Sequence, residues 1–333
     1  MLPQLQWRMP ASPIHIVTSL DTLSGAGTHA ATLRASLQAQ GCETQLWSDR
    51  PSPLAAHYGG RPIQPFNGVL PRGGTLILIG AYLQLSPWIV HVKPQRLILV
   101  CINSDPVSLH TSLARLKHPS LPPVELAFIS SRLRETMCLD GRISPEIVDL
   151  DNFRPAETKV DRPFTIGRLS RDTPEKHHPD DISLYRMLAW EGVHIRIMGG
   201  TCMHSMLDTA KEITLLPAGA EKAADFLRSL DVFFYRTRPD WNEPSGRVVM
   251  EALACGLPVV AHLSGGYTDW ISHGENGFLF KTQEEALDYL RILQTNAELR
   301  NRLAVNAHST ATELASLNGT SARAYLSWLT TGV

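Results

Sequence analysis

The chain has 333 residues, 43% hydrophobic and 19% charged, a globular profile that excludes a fibre or a disordered tail. Lys and Arg total 31 against 32 Asp and Glu, for a net charge of −1; the first 150 residues carry 12 cations and 9 acids, the rest 19 and 23, so neither half has the basic excess of a nucleic-acid binder. No apolar run reaches the roughly 20 residues of a membrane helix, and the opening MLPQLQWRMPASP has none long enough for a signal peptide, so cytoplasmic localisation is expected.

Along the chain, short apolar runs alternate with helix-like segments. The strands expected are residues 14–19, 44–47, 75–79, 96–102 and 126–129, then 164–166, 193–198, 212–215, 232–235 and 258–261. Runs this short and apolar read as parallel strands covered on both faces. The class is therefore α/β, with two doubly wound parallel sheets in tandem. Residues 146–163, where prolines and charges replace the apolar pattern, are expected to be the hinge. The division predicted is 1–150 and 151–317, with 318–333 a last helix returning to the N-terminal domain. Helices are expected at 283–294, 297–314 and 319–330. Cys42, Cys101, Cys138, Cys202 and Cys255 are odd in number and contain no Cys-x-x-Cys pair, which reads as reduced thiols with no metal.

Three segments carry candidate chemistry. Residues 231–266, DVFFYRTRPDWNEPSGRVVMEALACGLPVVAHLSGG, read as strand, loop, helix and strand, the helix stopping at Gly256 and Pro258 opening the next strand. A helix start after a small-residue loop suits a phosphate, with Ser245, Gly246 and Arg247 supplying donors. Glu243 stands at the mouth, and Glu251 follows eight residues on, about 12 Å away if all eight were helical. One carboxylate can hold sugar hydroxyls and the other a ribose diol. The plainer alternative is an Arg247–Glu251 pair on a helix surface with Glu243 a solvated acid. In the second segment, residues 166–176, the cations Arg168, Arg171 and Lys176 follow a strand's carboxyl end and can neutralise a departing diphosphate; the alternative is a charged loop with Arg171 paired to Asp172 or Glu175. In the third, Gly25-Ala26-Gly27-Thr28-His29-Ala30 has dinucleotide-fingerprint spacing with Asp49 about twenty residues on. Five residues separate it from the strand, however, and that better fits a glycine lip approaching a phosphate.

Together these segments resemble the retaining glycosyltransferases of the GT-B fold, in particular family GT4. The resemblance is best over residues 164–280 and weaker over 14–47. Glu243 and Glu251 match the family's Glu-x7-Glu motif, residues 251–260 its most recognisable run, 274–279 its Gly-x-Asn-Gly turn, and 148–155 its crossing into the second domain. It implies two Rossmann-like domains facing each other across a cleft. It also implies transfer of a hexose from a nucleoside diphosphate sugar, with retention and without metal or cofactor, to a glycan, lipid-linked or small-molecule acceptor, as in surface polysaccharide or glycoconjugate synthesis. The family's phosphate-binding spacing favours Arg171 with Lys176, while Arg168 has the more typical Gly-Arg-Leu context. Glu243-Pro244-Ser245-Gly246 departs from the common Glu-Gly-Phe-Gly, and Asp269 stands where Glu is usual. Donor contacts are thus expected from Gly27, Arg168, Ser245, Gly246, Arg247 and Glu251, and catalysis from Glu243, Arg171 and Lys176.

The N-terminal half, expected to take the acceptor, has no clear His motif; Asn103, Asp105 and His110 are the candidates. There Tyr82, Leu83, Leu85, Trp88 and Ile89 lie near Lys93 and Arg96, with Arg115, Lys117 and His118 further on. They form either a patch for peripheral contact with an anionic inner-membrane surface or part of the core, and the need to bury a helix face favours the core. Two other functions remain open: a non-catalytic sugar-nucleotide or glycan binder of the same fold, and an NAD-dependent Rossmann enzyme built on Gly25–Ala30.

Overall fold

A computed structural model describes residues 12–332 except 23, 86, 158–161, 208–209 and 318. Nearly all of the opening segment read for a leader, and residues 158–161 of the expected hinge, lie outside the described residues. The chain divides into two compact units.

Unit 1 comprises the described residues up to Ile129, Arg134–Ser144 and the chain from Arg323 on. In order come β1 (Ile14–Thr18), α1 (Gly25–Ala39), β2 (Thr44–Ser48), β3 (Arg61–Pro62), β4 (Thr75–Ile79), β5 (Arg96–Cys101), α2 (Pro106–Leu116), β6 (Val124–Phe128), α3 (Ser131–Met137) and β7 (Arg142–Ile143). The seven strands form one parallel sheet in the order β3-β2-β1-β4-β5-β6-β7, with Ile14 opposite both Thr44 and Thr75. All five β1 residues are buried, as expected where helices cover both sheet faces. Local chemistry sets the helix starts. Ser24 accepts from Gly27 N at the head of α1, and Asp105 accepts from Val107 N and Ser108 N at the head of α2, with Pro106 in the first turn.

Unit 2 comprises Ser130–Leu133 and Pro145–Ala322. Its elements are β8 (Thr165–Leu169), α4 (Asp181–Trp190), β9 (His194–Met198), α5 (His204–Leu207), β10 (Ile213–Leu216), α6 (Ala223–Arg228), β11 (Val232–Tyr235), α7 (Arg247–Ala254), β12 (Val259–His262), β13 (Gly277–Phe280), α8 (Gln283–Thr295) and α9 (Ala297–Ala315); the last helix, α10 (Thr320–Thr331), belongs to unit 1 from Arg323 on. The parallel sheet runs β10-β9-β8-β11-β12-β13. Successive side chains of β11 serve opposite faces: Phe233 and Tyr235 join one core with Met250 and Leu253, while Val232 and Phe234 join another with Leu184 and Leu290. A Thr282–Glu285 capping box opens α8. From α10, Tyr325, Leu326, Trp328 and Leu329 join the core of unit 1.

The α/β class of two doubly wound parallel sheets is as expected. Three strands escaped the sequence reading. β3 and β7 are two-residue edge strands with almost no pattern, one containing a proline. β13 begins at Gly277, inside the segment taken for a turn. β8 also runs three residues further than expected, which puts Arg168 inside the sheet.

The Trp88 cluster is interior. Leu83, Leu85, Trp88 and Ile89 are all buried, and the Trp88 indole donates to Gln84 O at 2.6 Å. Arg96 lies in β5, paired with Glu125 and donating to the carbonyls of Trp328 and Leu329. Only Tyr82 of the apolar set is exposed, so these residues present no apolar membrane face. Among the described residues no helix is long and apolar enough to cross a membrane. All five cysteines are free thiols.

Candidate functional site

In unit 2 the chain runs outward from β8 through β9 to β10, then returns to β11 on the other side of β8. The loops leaving β8 and β11 therefore flank the point where strand order reverses, the position at which open α/β sheets bind ligands. Gly167 makes this neighbourhood close, because a Cβ there would lie 2.5 Å from Arg196 O and 2.6 Å from the Leu230 side chain.

The loop after β8 carries Lys176 and the loop after β11 carries Glu243; they meet with Nζ 2.5 Å from Oε2. Tyr235 Oη donates to the same oxygen at 2.9 Å. The Trp241 ring lies 4.8 Å from Lys176 Nζ and 5.5 Å from the Arg171 guanidinium, within cation–π range. Burial holds the Lys176 ammonium below its ordinary pKa, and Glu243 opposes that shift. Arg171 stands further out, its side chain 51% exposed and 3.7 Å from Glu175.

The backbone around Lys176 is held from several sides. Arg168, 1% exposed, donates to Arg236 O at 2.7 Å and to Lys176 O, which ties the two loops together. Expected to touch the donor, it donates to these two carbonyls, and its Nε has no hydrogen-bond partner. His177 donates through Nε2 to Gly199 O at 2.8 Å. Asp172 accepts from Thr201 Oγ1 and, at 2.9 Å, from Cys202 N. Beneath lies Asp181, fully buried, accepting from Arg236 Nε at 2.8 Å; burial pushes its carboxyl up to about 6 against the pull of Arg236 and Arg168.

At the other end of the Glu-x7-Glu spacing, Arg247 Nε donates to Glu251 Oε1 at 2.9 Å. This is the pairing named above as the plainer alternative, but it is buried rather than at the surface. The same guanidinium donates through Nη1 to Glu146 Oε1 at 2.6 Å and to Ile147 O at 3.1 Å, and Ser245 Oγ donates to Glu146 Oε2 at 2.7 Å. Burial and the Glu146 charge raise the Glu251 pKa, while Arg247 lowers it. Helix α7 starts only at Arg247, so half of the Glu243–Glu251 spacing is loop and the all-helical 12 Å does not describe it. Gly246 caps that helix at φ +81°, where a Cβ would lie 2.6 Å from Tyr267 Cδ1.

Residues 149–310 match the family described as Glycosyl transferases group 1. The match takes in just under half of the chain. A D-inositol 3-phosphate glycosyltransferase from Stackebrandtia nassauensis is 38% identical over 104 residues, which cover 30% of this chain and 23% of that protein. Spore coat protein SA from Bacillus subtilis is 34% identical over 151 residues, 44% of this chain and 39% of its own length. The chain thus spans well under half the length of these curated relatives. Whole-chain likeness appears in solved structures. Anabaena Alr3699/HepE, in complex with UDP and glucose, superposes with a TM-score of 0.73 at 16% identity, covering 96% of this chain and 99% of that one. WaaG, a glycosyltransferase involved in lipopolysaccharide biosynthesis, gives 0.68 at 12% identity, covering 96% and 100%. The fold is that of GT-B glycosyltransferases.

Unit 2 thus joins Lys176 to Glu243, sets Arg171 beside them across Trp241, and joins Ser245 to Arg247 through Glu146 and Glu251 to the same Arg247. The remaining expected residues belong to unit 1. Gly27 lies in the first turn of α1, where a Cβ would stand 2.6 Å from the Tyr58 ring, so local packing already requires the glycine. Asn103 accepts from Ala81 N at 3.1 Å, Asp105 caps α2, and His110 contacts Pro106 O at 2.8 Å. Asp105 and His110 thus both engage the first turn of α2, and Asn103 the backbone that follows β4. The sequence reading missed Glu146, which lay in the segment taken for a hinge, and Trp241, Tyr235, His177 and Asp181, which belong to no motif. The one available signal was position: Trp241, His177 and Asp181 follow strand ends.

Proposed function

We propose that this protein is a retaining hexosyltransferase of the cytoplasm. It would take a sugar from a nucleoside diphosphate donor and pass it to a glycan, lipid-linked or small-molecule acceptor in surface polysaccharide or glycoconjugate synthesis. The observation that carries this reading is the pairing of Lys176 with Glu243 at the strand-order reversal of unit 2, within the group 1 match, with Glu251 one helix turn inside α7. The likeness to a fold solved with UDP and UDP-glucose supports the donor class.

In this reading Glu251 accepts the ribose hydroxyls, and the N–H groups of Ser245, Gly246 and Arg247 face the diphosphate. Glu243 holds sugar hydroxyls and is oriented by Lys176 and Tyr235. When the bond from the anomeric carbon to the phosphate oxygen breaks, its electron pair leaves with the diphosphate. Lys176 and Arg171 meet that charge, so neither a metal ion nor an organic cofactor is called for.

Calorimetric titration with UDP, GDP and ADP, followed by their sugar conjugates, tests this. One nucleotide should bind, and Glu251→Ala should weaken it by about 1.5–3 kcal/mol for lost hydrogen bonds to a charged group. Unchanged affinity in a folded Glu251→Ala variant would overturn the assignment. Binding without sugar transfer, across a panel of glycan acceptors, would favour a non-catalytic binder.

A further inference from the structure

Glu146 lies three residues ahead of the segment matched as a group 1 domain, yet its side chain is only 3% exposed and ties down the turn that opens α7. One oxygen takes Ser245 Oγ at 2.7 Å and the other takes Arg247 Nη1 at 2.6 Å, across about a hundred residues of sequence. Arg247 therefore divides its fork between two carboxylates. Its Nε reaches Glu251 Oε1, and the contact does not extend to Glu251 Oε2.

A guanidinium facing a single buried carboxylate closes on both oxygens, because two parallel N–H···O bonds satisfy both groups at once. If Arg247 did this, both Glu251 oxygens would be occupied. We propose that Glu146 is a positioning residue for nucleotide binding: by drawing one arm of Arg247 away, it leaves a Glu251 oxygen able to accept ribose hydroxyls. The arrangement also leaves two acids on one cation in a dehydrated place, a deficit that hydroxyl donors from the ligand relieve. Through Ser245, Glu146 fixes in addition the side chain just before the Gly246 cap.

This inference rests on the nucleotide reading above, and the two can fail separately. The probes are UDP, GDP and ADP, each compared with its 2′,3′-dideoxy form, titrated into the full chain and into Glu146→Ala and Glu146→Gln. The wild type should prefer the ribose form of the nucleotide it binds by about tenfold or more, the scale of hydrogen bonds to a carboxylate. In Glu146→Ala that preference should fall to within about twofold, because Arg247 closes on Glu251. Glu146→Gln keeps an acceptor for Arg247 but not the charge, and should lie between.

A purely structural role would weaken ribose and dideoxy forms alike and leave their ratio unchanged; an unchanged ratio in both variants, or in Glu146→Gln should Glu146→Ala not fold, overturns the inference. A wild type that binds a nucleotide without discriminating against the dideoxy form overturns it as well. A wild type that binds no nucleoside diphosphate refutes the underlying nucleotide reading instead.

Discussion

Replacing His177 by glutamine should remove a large part of the acid sensitivity of unit 2. The imidazole is 5% exposed, and burial, reinforced by the nearby Arg168 charge, pushes its pKa down to about 3 from the ordinary 6.5. Its Nε2 donates to Gly199 O, and Nδ1 has no hydrogen-bond partner, so a second proton would have to sit in a dry place with nothing to accept it. Below pH 6.5 the unfolded chain takes up a proton that the folded chain refuses, so stability falls as pH falls, until the folded imidazole itself titrates near pH 3. Above 6.5 both states are neutral and the residue contributes nothing. At 1.36 kcal/mol per pH unit the loss is about 2 kcal/mol between pH 6.5 and 5, and about 5 kcal/mol over the whole window.

Asp181 works in the opposite direction. Its carboxyl, raised to about 6, binds a proton in the folded state before the unfolded state does, so between about pH 6 and 3.8 it gains stability as pH falls. That contribution is shared by wild type and variant and cancels in their difference, as does any transition of unit 1. Glutamine retains a donor for Gly199 O. Urea unfolding at pH 7, 6 and 5, followed by circular dichroism, should show the variant gaining about 2 kcal/mol on the wild type as the pH falls to 5, whatever their offset at pH 7. A difference that stays constant with pH would mean that His177 is not held neutral, and would refute its part in fixing the Lys176 loop.

Lys176→Ala should reduce turnover and stability more than Arg171→Ala, because it leaves the buried Glu243 carboxylate without its cation, a loss of about 3–5 kcal/mol in buried pairs, whereas Arg171 is half exposed; steady-state kinetics with denaturant melts would expose the reverse ranking. Trp88→Ala should cost about 3–5 kcal/mol as a core truncation. Loss of binding to anionic vesicles at unchanged stability would instead restore the membrane role.

The sheets were legible because strands covered on both faces announce themselves as apolar runs, and nine of the ten runs read from sequence agree with observed strands to within two residues at either end. The tenth, that of β8, failed at its end for a physical reason. A strand is expected to stop where charge begins, but Arg168 continues it because two carbonyls and the Tyr235 ring receive both arms of the guanidinium inside the protein, although its Nε has no hydrogen-bond partner. Sequence shows a cation; only the fold shows whether water, a ligand or backbone receives it.

The same limit separates the two ends of the Glu-x7-Glu spacing. Glu243 and Lys176 are 67 residues apart and were brought together in the reading only by family resemblance, although each lies in a loop leaving a strand end and topology alone makes such loops neighbours. Glu146 had no comparable cue. Its proline- and charge-rich surroundings read as an exposed connection, and exposure would have made it irrelevant to Arg247. Burial reverses that inference: a carboxylate with almost no solvent must find donors, and here they are Ser245 and Arg247 at the head of α7. Polar residues in an irregular segment are thus the least legible from pattern, yet once buried they are the most constrained in partner, which is why a single substitution at Glu146 tests the arrangement around Glu251.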